Sequence, residues 1–236
     1  MFNDILKQKA IESGINLSED QIEKLRIYYE LLVEWNEKMN LTAITEPEDV
    51  ALKHFCDSIL LLSYADIQSG SSLIDVGTGA GFPSVPIKIV RDDIKLCLLD
   101  SLNKRLVFLQ EVVDKLGLRE VTIVHSRAED GAKDAKLREQ FDFATSRAVA
   151  QLNVLSEYCL PYVKVGGAFL AMKGKYSEEE IENAKSAIKI LGGKISKVDT
   201  YNLIDSSERT IINVKKIAKT DKRYPRTASK IKSKAL

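Results

Sequence analysis

Residues 73–83, Leu-Ile-Asp-Val-Gly-Thr-Gly-Ala-Gly-Phe-Pro, hold the densest chemical signal in the chain. An apolar run carries Asp75 near its end, and Gly77, Gly79 and Gly81 follow at alternate positions. The run predicts a buried strand. Glycines so placed let the backbone turn sharply and approach a ligand, because no Cβ intervenes. The dinucleotide fingerprint Gly-x-Gly-x-x-Gly rests a pyrophosphate on a helix N-terminus, but Phe82 stands where its third glycine would fall. Asp75 would also repel a pyrophosphate. A ligand with an ammonium or sulfonium group suits that carboxylate better; S-adenosylmethionine carries both and has no phosphate. By itself the turn is also readable as a tight strand-to-helix connection without a ligand.

Further charged residues fall at the ends of successive apolar runs. Ile94–Leu99 predicts a second strand ending in Asp100, 25 residues after Asp75, close to where an acid holds a ribose diol. Val121–Val124 predicts a third strand, followed by Ser126-Arg127-Ala128-Glu129. Phe141–Thr145 predicts a fourth, followed by Ser146-Arg147-Ala148, and a fifth ends in Met172-Lys173-Gly174-Lys175. Ligands of open α/β sheets bind at the carboxyl ends of the strands. Arg147 and Lys173 are therefore expected at the crevice, as cations able to orient a substrate or hold a phosphate. The plainer alternatives are a surface salt bridge for Arg147 and a solvated loop lysine for Lys173.

These residues need a scaffold, and the pattern supplies one. Strands are expected near 72–76, 94–99, 121–124, 141–145 and 168–172, with helices near 83–91, 103–116, 151–163 and 177–191. Such alternation implies an α/β fold, a mostly parallel seven-stranded sheet with helices on both faces. Its last two strands, near 194–201 and 209–217, follow each other directly and are expected to be antiparallel. The first 65 residues read as a helical cap. Ser18-Glu19-Asp20-Gln21 has the form of a capping box, Ile22, Leu25, Tyr28, Leu32 and Trp35 form a helical stripe, and Pro47 opens another helix. The organisation read from sequence is a cap at 1–65, a Rossmann-like domain at 66–217 and a basic tail at 218–236.

The 236 residues are 44% hydrophobic and 29% charged, enough for one sizeable core. No apolar run is long enough to span a membrane, and no secretory signal is evident. Cys56, Cys97 and Cys159 are scattered without metal-ligand spacing, and His54 and His125 are the only histidines. A reducing cytoplasm and no metal are expected. No long apolar seam demands a dimer, so a monomer is expected. The net charge of +1 hides an asymmetry: nine of the last 22 residues are basic and one is acidic. Such a tail suggests an anionic polymer as partner. Within it Tyr224 lies between Arg223 and Arg226, an aromatic that can stack on a base while the arginines hold phosphates.

Some methyl-transfer chemistries lack their residues. No Asn/Asp-Pro-Pro-aromatic motif for exocyclic amines follows the fourth strand, where Ser146-Arg147-Ala148-Val149 stands, and no cysteine follows a proline, as cytosine C5 attack usually needs. Cys159 is expected inside a helix, away from the crevice. A nucleophile with its own lone pair, such as guanine N7, remains; it needs no general base, and catalysis is mostly orientation.

The motif Asp75-x-Gly77-x-Gly79-x-Gly81 resembles the first motif of Rossmann-like, class I S-adenosylmethionine-dependent methyltransferases, in which an acid and a neighbouring amide after the third strand contact the adenine; Ala128 and Glu129 match that pair. With Trp35-Asn36-Glu37-Lys38-Met39-Asn40-Leu41-Thr42, His54-Phe55-Cys56-Asp57-Ser58, Asp100-Ser101-Leu102-Asn103-Lys104-Arg105, Ser146-Arg147-Ala148 and Lys222-Arg223-Tyr224-Pro225-Arg226, nearly the whole chain resembles the ribosomal small subunit methyltransferase G family. That resemblance implies N7 methylation of one guanine in 16S ribosomal RNA by S-adenosylmethionine, in the cytoplasm. It implies cofactor contacts at Gly77, Phe82, Ala128, Glu129 and Arg147, with Asp100 on the ribose. His54 and Asp57 match a motif whose role the sequence does not reveal. The chain departs from the family after Arg226, where a Gly-Pro-containing basic stretch is usual and Thr227–Leu236 has neither residue. Two other readings stay open: a methyltransferase for a small molecule or protein, and a non-catalytic sensor of an adenosine ligand.

Overall fold

Apolar residues alternate along the strands, so each strand feeds two cores, one on each face of the sheet. The computed structural model describes residues 2–147 and 150–236; Ala148 and Val149, which belong to the motif after the fourth strand, lie outside them. The chain opens with helices α1 (Phe2–Glu12), α2 (Glu19–Lys38) and the single turn α3 (Pro47–Asp49), which passes through a π-helical stretch (Val50–Cys56) into α4 (Asp57–Tyr64). Then follow β1 (Ser72–Val76), α5 (Ser84–Val90), β2 (Lys95–Asp100), α6 (Asn103–Lys115), β3 (Val121–His125), α7 (Ala128–Gly131), β4 (Phe141–Ser146), α8 (Leu152–Cys159), β5 (Val163–Lys173), α9 (Glu178–Ile190), β6 (Gly193–Asn202), β7 (Glu208–Lys216) and α10 (Ala228–Ser233).

The sheet order is β3-β2-β1-β4-β5-β7-β6, with β1 to β5 parallel and β7 antiparallel to both its neighbours. The expected α/β architecture is present. On one face Leu73, Leu98 and Leu170 pack with the cap and with α5 and α6. On the other, Ile74, Leu99 and Phe169 pack with α8 and α9. The capping box forms: the Gln21 N–H donates to Ser18 Oγ, and the Ser18 N–H donates to Gln21 Oε1.

Three boundaries differ from expectation. The helix expected over 151–163 stops at Cys159, because Pro161 lies in a 3-10 turn (Leu160–Tyr162) that leads directly into β5. Strand β5 starts at Val163 rather than 168; Lys164–Gly166 are exposed, and a lone Val165 between a lysine and a glycine gives no apolar run. The cap shares one apolar cluster with the sheet, through Leu25, Tyr28 and Phe55 against Leu73 and Phe108, so the boundary at 65 separates elements but not cores.

The C-terminal segment is built into the fold rather than standing off as a tail. The Arg138 guanidinium donates to the carbonyls of Thr220, Asp221 and Tyr224. Buried Lys216 donates from Nζ to Leu160 O and Thr220 Oγ1, both at 2.6 Å. Ile231 of α10 has no exposed surface.

Candidate cofactor cleft and cationic pocket

The glycine turn leaves β1 with all three glycines at positive φ: +74° at Gly77, +61° at Gly79 and +95° at Gly81. Their tasks divide. A Cβ on Gly77 would meet no protein atom within 4 Å; it would occupy cleft space. A Cβ on Gly81 would come within 2.6 Å of Tyr28 Oη and 2.8 Å of Val85 and Leu109. Gly81 therefore lets the cap and α6 close on the turn.

Asp75 alternates with Ile74 and Val76, so its carboxylate leaves the sheet on the cap side. Fully buried, its Oδ2 accepts from Thr78 Oγ1 at 2.8 Å and Ser84 Oγ at 2.6 Å. Its Oδ1 has no partner. Burial raises its pKa to about 7, with Ser84, Thr78 and the Arg147 cation pulling the other way. Asp75 braces the turn and leaves one acceptor atom uncommitted; Asp75 and Gly79 do not line the cleft.

That cleft, of about 290 Å³, is lined at the carboxyl edge of the sheet by Gly77, Asp100, Ala128, Glu129, Ser146 and Tyr158, among others. Four strand ends thus contribute. Asp100 is held by its own loops: Oδ2 accepts from the Gly79 N–H and Oδ1 from the Leu102 N–H, each at 2.9 Å. A carboxylate fixed this way keeps lone pairs for a diol. Ala128 and Glu129 open the short α7, and Tyr162 Oη donates to Ala128 O at 2.6 Å. Cys159 also lines the cleft, against the expectation that it sits away from the crevice: α8 ends at it. Burial pushes its thiol pKa well up, so it stays protonated and is no nucleophile. The room beside Gly77 and the fixed carboxylate of Asp100 fit the adenosyl part of S-adenosylmethionine; Asp75, off the cleft wall, can act on a cationic part only as a charge through the turn.

Alternation along β4 sends Ser146 into this cleft and Arg147 to the opposite, cap side. There Arg147 Nη1 donates to Lys53 O at 3.1 Å and Asp57 Oδ2 at 3.3 Å, and Nη2 donates to His54 Nδ1 at 3.0 Å. Because a guanidinium only donates, His54 Nδ1 is the acceptor. Its Nε2–H must then donate to Thr42 Oγ1, 2.9 Å away. Burial and the Arg147 charge lower the His54 pKa to about 3, consistent with this neutral form. Asp57 Oδ1 accepts from Tyr201 Oη at 3.1 Å and Arg209 Nε at 3.2 Å. Phe82 completes the group: the His54 ring stacks on it at 4.4 Å, and the Arg147 guanidinium lies 5.0 Å from its centroid. The His54–Asp57 segment thus positions Arg147, a role the sequence left open because the partners are some 90 residues apart. Phe82, expected at the cofactor, serves this stack and is not on the cleft wall.

Lys53, His54, Asp57, Arg147, Lys173 and Arg209 border a second pocket, predominantly cationic. Lys173 is less free than expected, since its Nζ pairs with Glu180 Oε1 at 2.7 Å and donates to Ala150 O at 2.8 Å. Arg209 was not foreseen; it opens the antiparallel strand β7, which brings it to the parallel strands' carboxyl edge. The three tail residues also separate. Arg223 is 72% exposed, beside the Tyr224 ring. Arg226 instead grips the fully buried Glu157 through Nε and Nη2 at 2.9 and 2.6 Å. It therefore has an internal partner that the sequence did not announce.

Among the described residues, no helix is long and apolar enough to cross a membrane, and no group of three or more His, Cys, Asp or Glu is placed to hold a metal. Among solved structures, the fold is similar to precorrin-6y C5,15-methyltransferase from Geobacter metallireducens (TM-score 0.53, 17% identity, 75% of this chain and 92% of that one). It is also similar to M. jannaschii TYW2 in complex with AdoMet (TM-score 0.54, 13% identity, 68% and 77%). By sequence the chain is 54% identical to ribosomal RNA small subunit methyltransferase G of Clostridium beijerinckii, over 98% of this chain and 97% of that protein. The Bacillus cytotoxicus protein of the same name is 53% identical over 91% and 90%. Residues 21–213 match the GidB family, rRNA small subunit methyltransferase G. A class I methyltransferase sheet, a cleft that fits an adenosyl group and full-length similarity of this degree agree: the chain belongs to the rRNA small subunit methyltransferase G family.

Proposed function

We propose that this chain transfers a methyl group from S-adenosylmethionine to N7 of one guanine in 16S ribosomal RNA, acting as a monomer in the cytoplasm on RNA of the small ribosomal subunit. The observation that carries this reading is the pair of cavities flanking Ser146-Arg147: one fits an adenosyl group, the other is cationic and suits an RNA segment. The names of the relatives support the same assignment.

When bound, S-adenosylmethionine supplies a methyl carbon on a sulfonium, open to in-line attack by a lone pair. Gly77 leaves space for the adenosyl group, Asp100 accepts from the ribose hydroxyls, and Ala128 with Glu129 flanks the adenine. Arg147 and Lys173 orient the RNA from the second pocket. Among the described residues none there is poised to take a proton: both ring nitrogens of His54 are engaged, and Asp57 is held by Arg147, Arg209 and Tyr201. Guanine N7 needs no deprotonation, so orientation supplies the catalysis. Methylation leaves that base cationic, and Asp57 is the carboxylate bordering the same pocket.

The test is incubation with methyl-labelled S-adenosylmethionine and 16S ribosomal RNA, followed by nucleoside mass analysis. Label in 7-methylguanosine at one position is expected. Label in another nucleoside, in protein or in a small molecule, or no transfer, would displace the proposal.

A further inference from the structure

Ala228 and Lys232 of α10 line the same cleft as Gly77, Asp100 and Glu129. The C-terminal helix is therefore a wall of the proposed cofactor site. It is seated by two anchors: Ile231, fully buried, and the fork between Arg226 and Glu157. Glu157 belongs to α8, whose Leu155, Tyr158 and Cys159 form another part of the wall. Asn153 of α8 also donates to Leu236 O at 3.3 Å.

The helix has six residues, far below the length that is stable alone in water. It carries Lys230 and Lys232, and Lys234 follows as its extended C-cap, all three exposed. Among the described residues no carboxylate pairs with them, the tail's own ion pairs being at Arg223 and Arg226. Three like charges within five residues, with no carboxylate between them, repel one another. An anion laid across them would relieve that repulsion and hold the helix against the cleft.

We propose that α10 completes the S-adenosylmethionine site and that ribosomal RNA on its lysines stabilises the seated helix, so that RNA and cofactor each tighten the binding of the other. The proposal rests on the reading of the cleft as the cofactor site and of RNA as the substrate. Coupling of this kind is reciprocal by linkage.

The test is calorimetric titration of the full-length chain with S-adenosylhomocysteine, with and without a 16S ribosomal RNA fragment. For the wild type, RNA should tighten S-adenosylhomocysteine about fivefold or more. The double variant Lys230→Gln/Lys234→Gln, at positions off the cleft wall, should bind S-adenosylhomocysteine alone normally and lose the RNA effect. Ile231→Ser, checked by thermal melting, should weaken S-adenosylhomocysteine about tenfold without RNA. Lys232→Ala, on the exposed face, should weaken it in the same direction and serves if Ile231→Ser does not fold. Wild-type affinity in both of these variants would overturn the wall, and an RNA effect that is absent, or that survives in the double variant, would overturn the coupling. A wild type that binds no S-adenosylhomocysteine would instead overturn the cofactor reading itself, and this proposal with it.

Discussion

The cleft and the cationic pocket meet at one dipeptide, yet they are assembled in opposite ways. Ser146 donates to Val76 O at 3.0 Å on the cleft side, while Arg147 reaches His54 and Asp57 on the cap side. The cleft is framed largely by strand ends and the loops just after them, with Asp100 and Glu129 among its charges. Among the described residues the pocket is lined by Lys53, Arg147, Lys173 and Arg209 and by one carboxylate, Asp57, from four distant segments; Lys53 and Lys173 pair with Asp49 and Glu180 outside that lining. Strand alternation explains the division: residues one apart leave opposite faces of the sheet. The charges differ too: the cleft mixes Asp100 and Glu129 with Arg105, Arg127 and Lys232, while cations predominate where a polyanion is proposed.

The hardest test of the cleft is Gly77→Val. Its side chain would enter open cleft space, and valine at φ +74° adds about 1–2 kcal/mol of local strain. Affinity for S-adenosylhomocysteine should fall by at least about 100-fold, nearly 3 kcal/mol, while circular dichroism stays native. Calorimetry showing intact affinity would remove Gly77 from the cofactor site. The pocket's counterpart is Asp57→Ala. The Asp57 side chain is 3% exposed and holds Arg147 and Arg209, so the change leaves two cations without their counter-charge. Denaturant unfolding should show a loss of about 3 kcal/mol, and methyl transfer should fall much further than S-adenosylhomocysteine binding. Equal losses of both would mean that the two cavities are one functional unit.

This contrast also explains what was legible in the sequence. The cleft follows a local rule, since each contributing strand brings its own terminal residues; Gly77, Asp100, Ala128 and Glu129 are readable from spacing and family motif. The pocket depends on tertiary pairing. Nothing in the spacing of His54 and Asp57 announces Arg147, and Arg209 reaches the edge only because β7 runs antiparallel. Phe82 and Asp75 share the turn with Gly77, but their side chains leave on the cap face. The tail shows the same limit: composition reports nine basic residues among the last 22, yet which cation is committed depends on Glu157, which lies 69 residues before Arg226. A helix-strength pattern was likewise absent from Thr227–Leu236, because α10 is held by its anchors rather than by its own sequence.

A smaller effect is expected from pH. Asp75 has its pKa raised to about 7 by burial. As a group whose folded pKa lies above its unfolded value, it contributes stability that is fully present below about 4 and lost as pH rises through about 7. In the ligand the sign reverses. Above about 7 the carboxylate is ionised and attracts a sulfonium, so the preference for S-adenosylmethionine over neutral S-adenosylhomocysteine should grow roughly threefold between pH 6 and 8, under 1 kcal/mol. Asp75→Asn should flatten that ratio. A preference that rises equally in the variant would place the titrating group elsewhere.

The smallest expected effect is the one that best separates RNA contact from architecture. Arg223 is exposed, its own partner Asp221 is exposed too, and the Tyr224 ring lies beside it. Such a surface pair contributes little to stability, so Arg223→Ala should leave the melting temperature and S-adenosylhomocysteine affinity unchanged. If its guanidinium rests on a phosphate, RNA binding should weaken only about twofold to threefold at moderate salt, but the slope of log affinity against log salt should drop by about one. The slope carries the inference, because packing changes alter affinity without altering the number of counterions released. An unchanged slope with weaker binding would assign Arg223 to shaping the Tyr224 surface, and would leave the lysines of α10 as the tail's phosphate contacts.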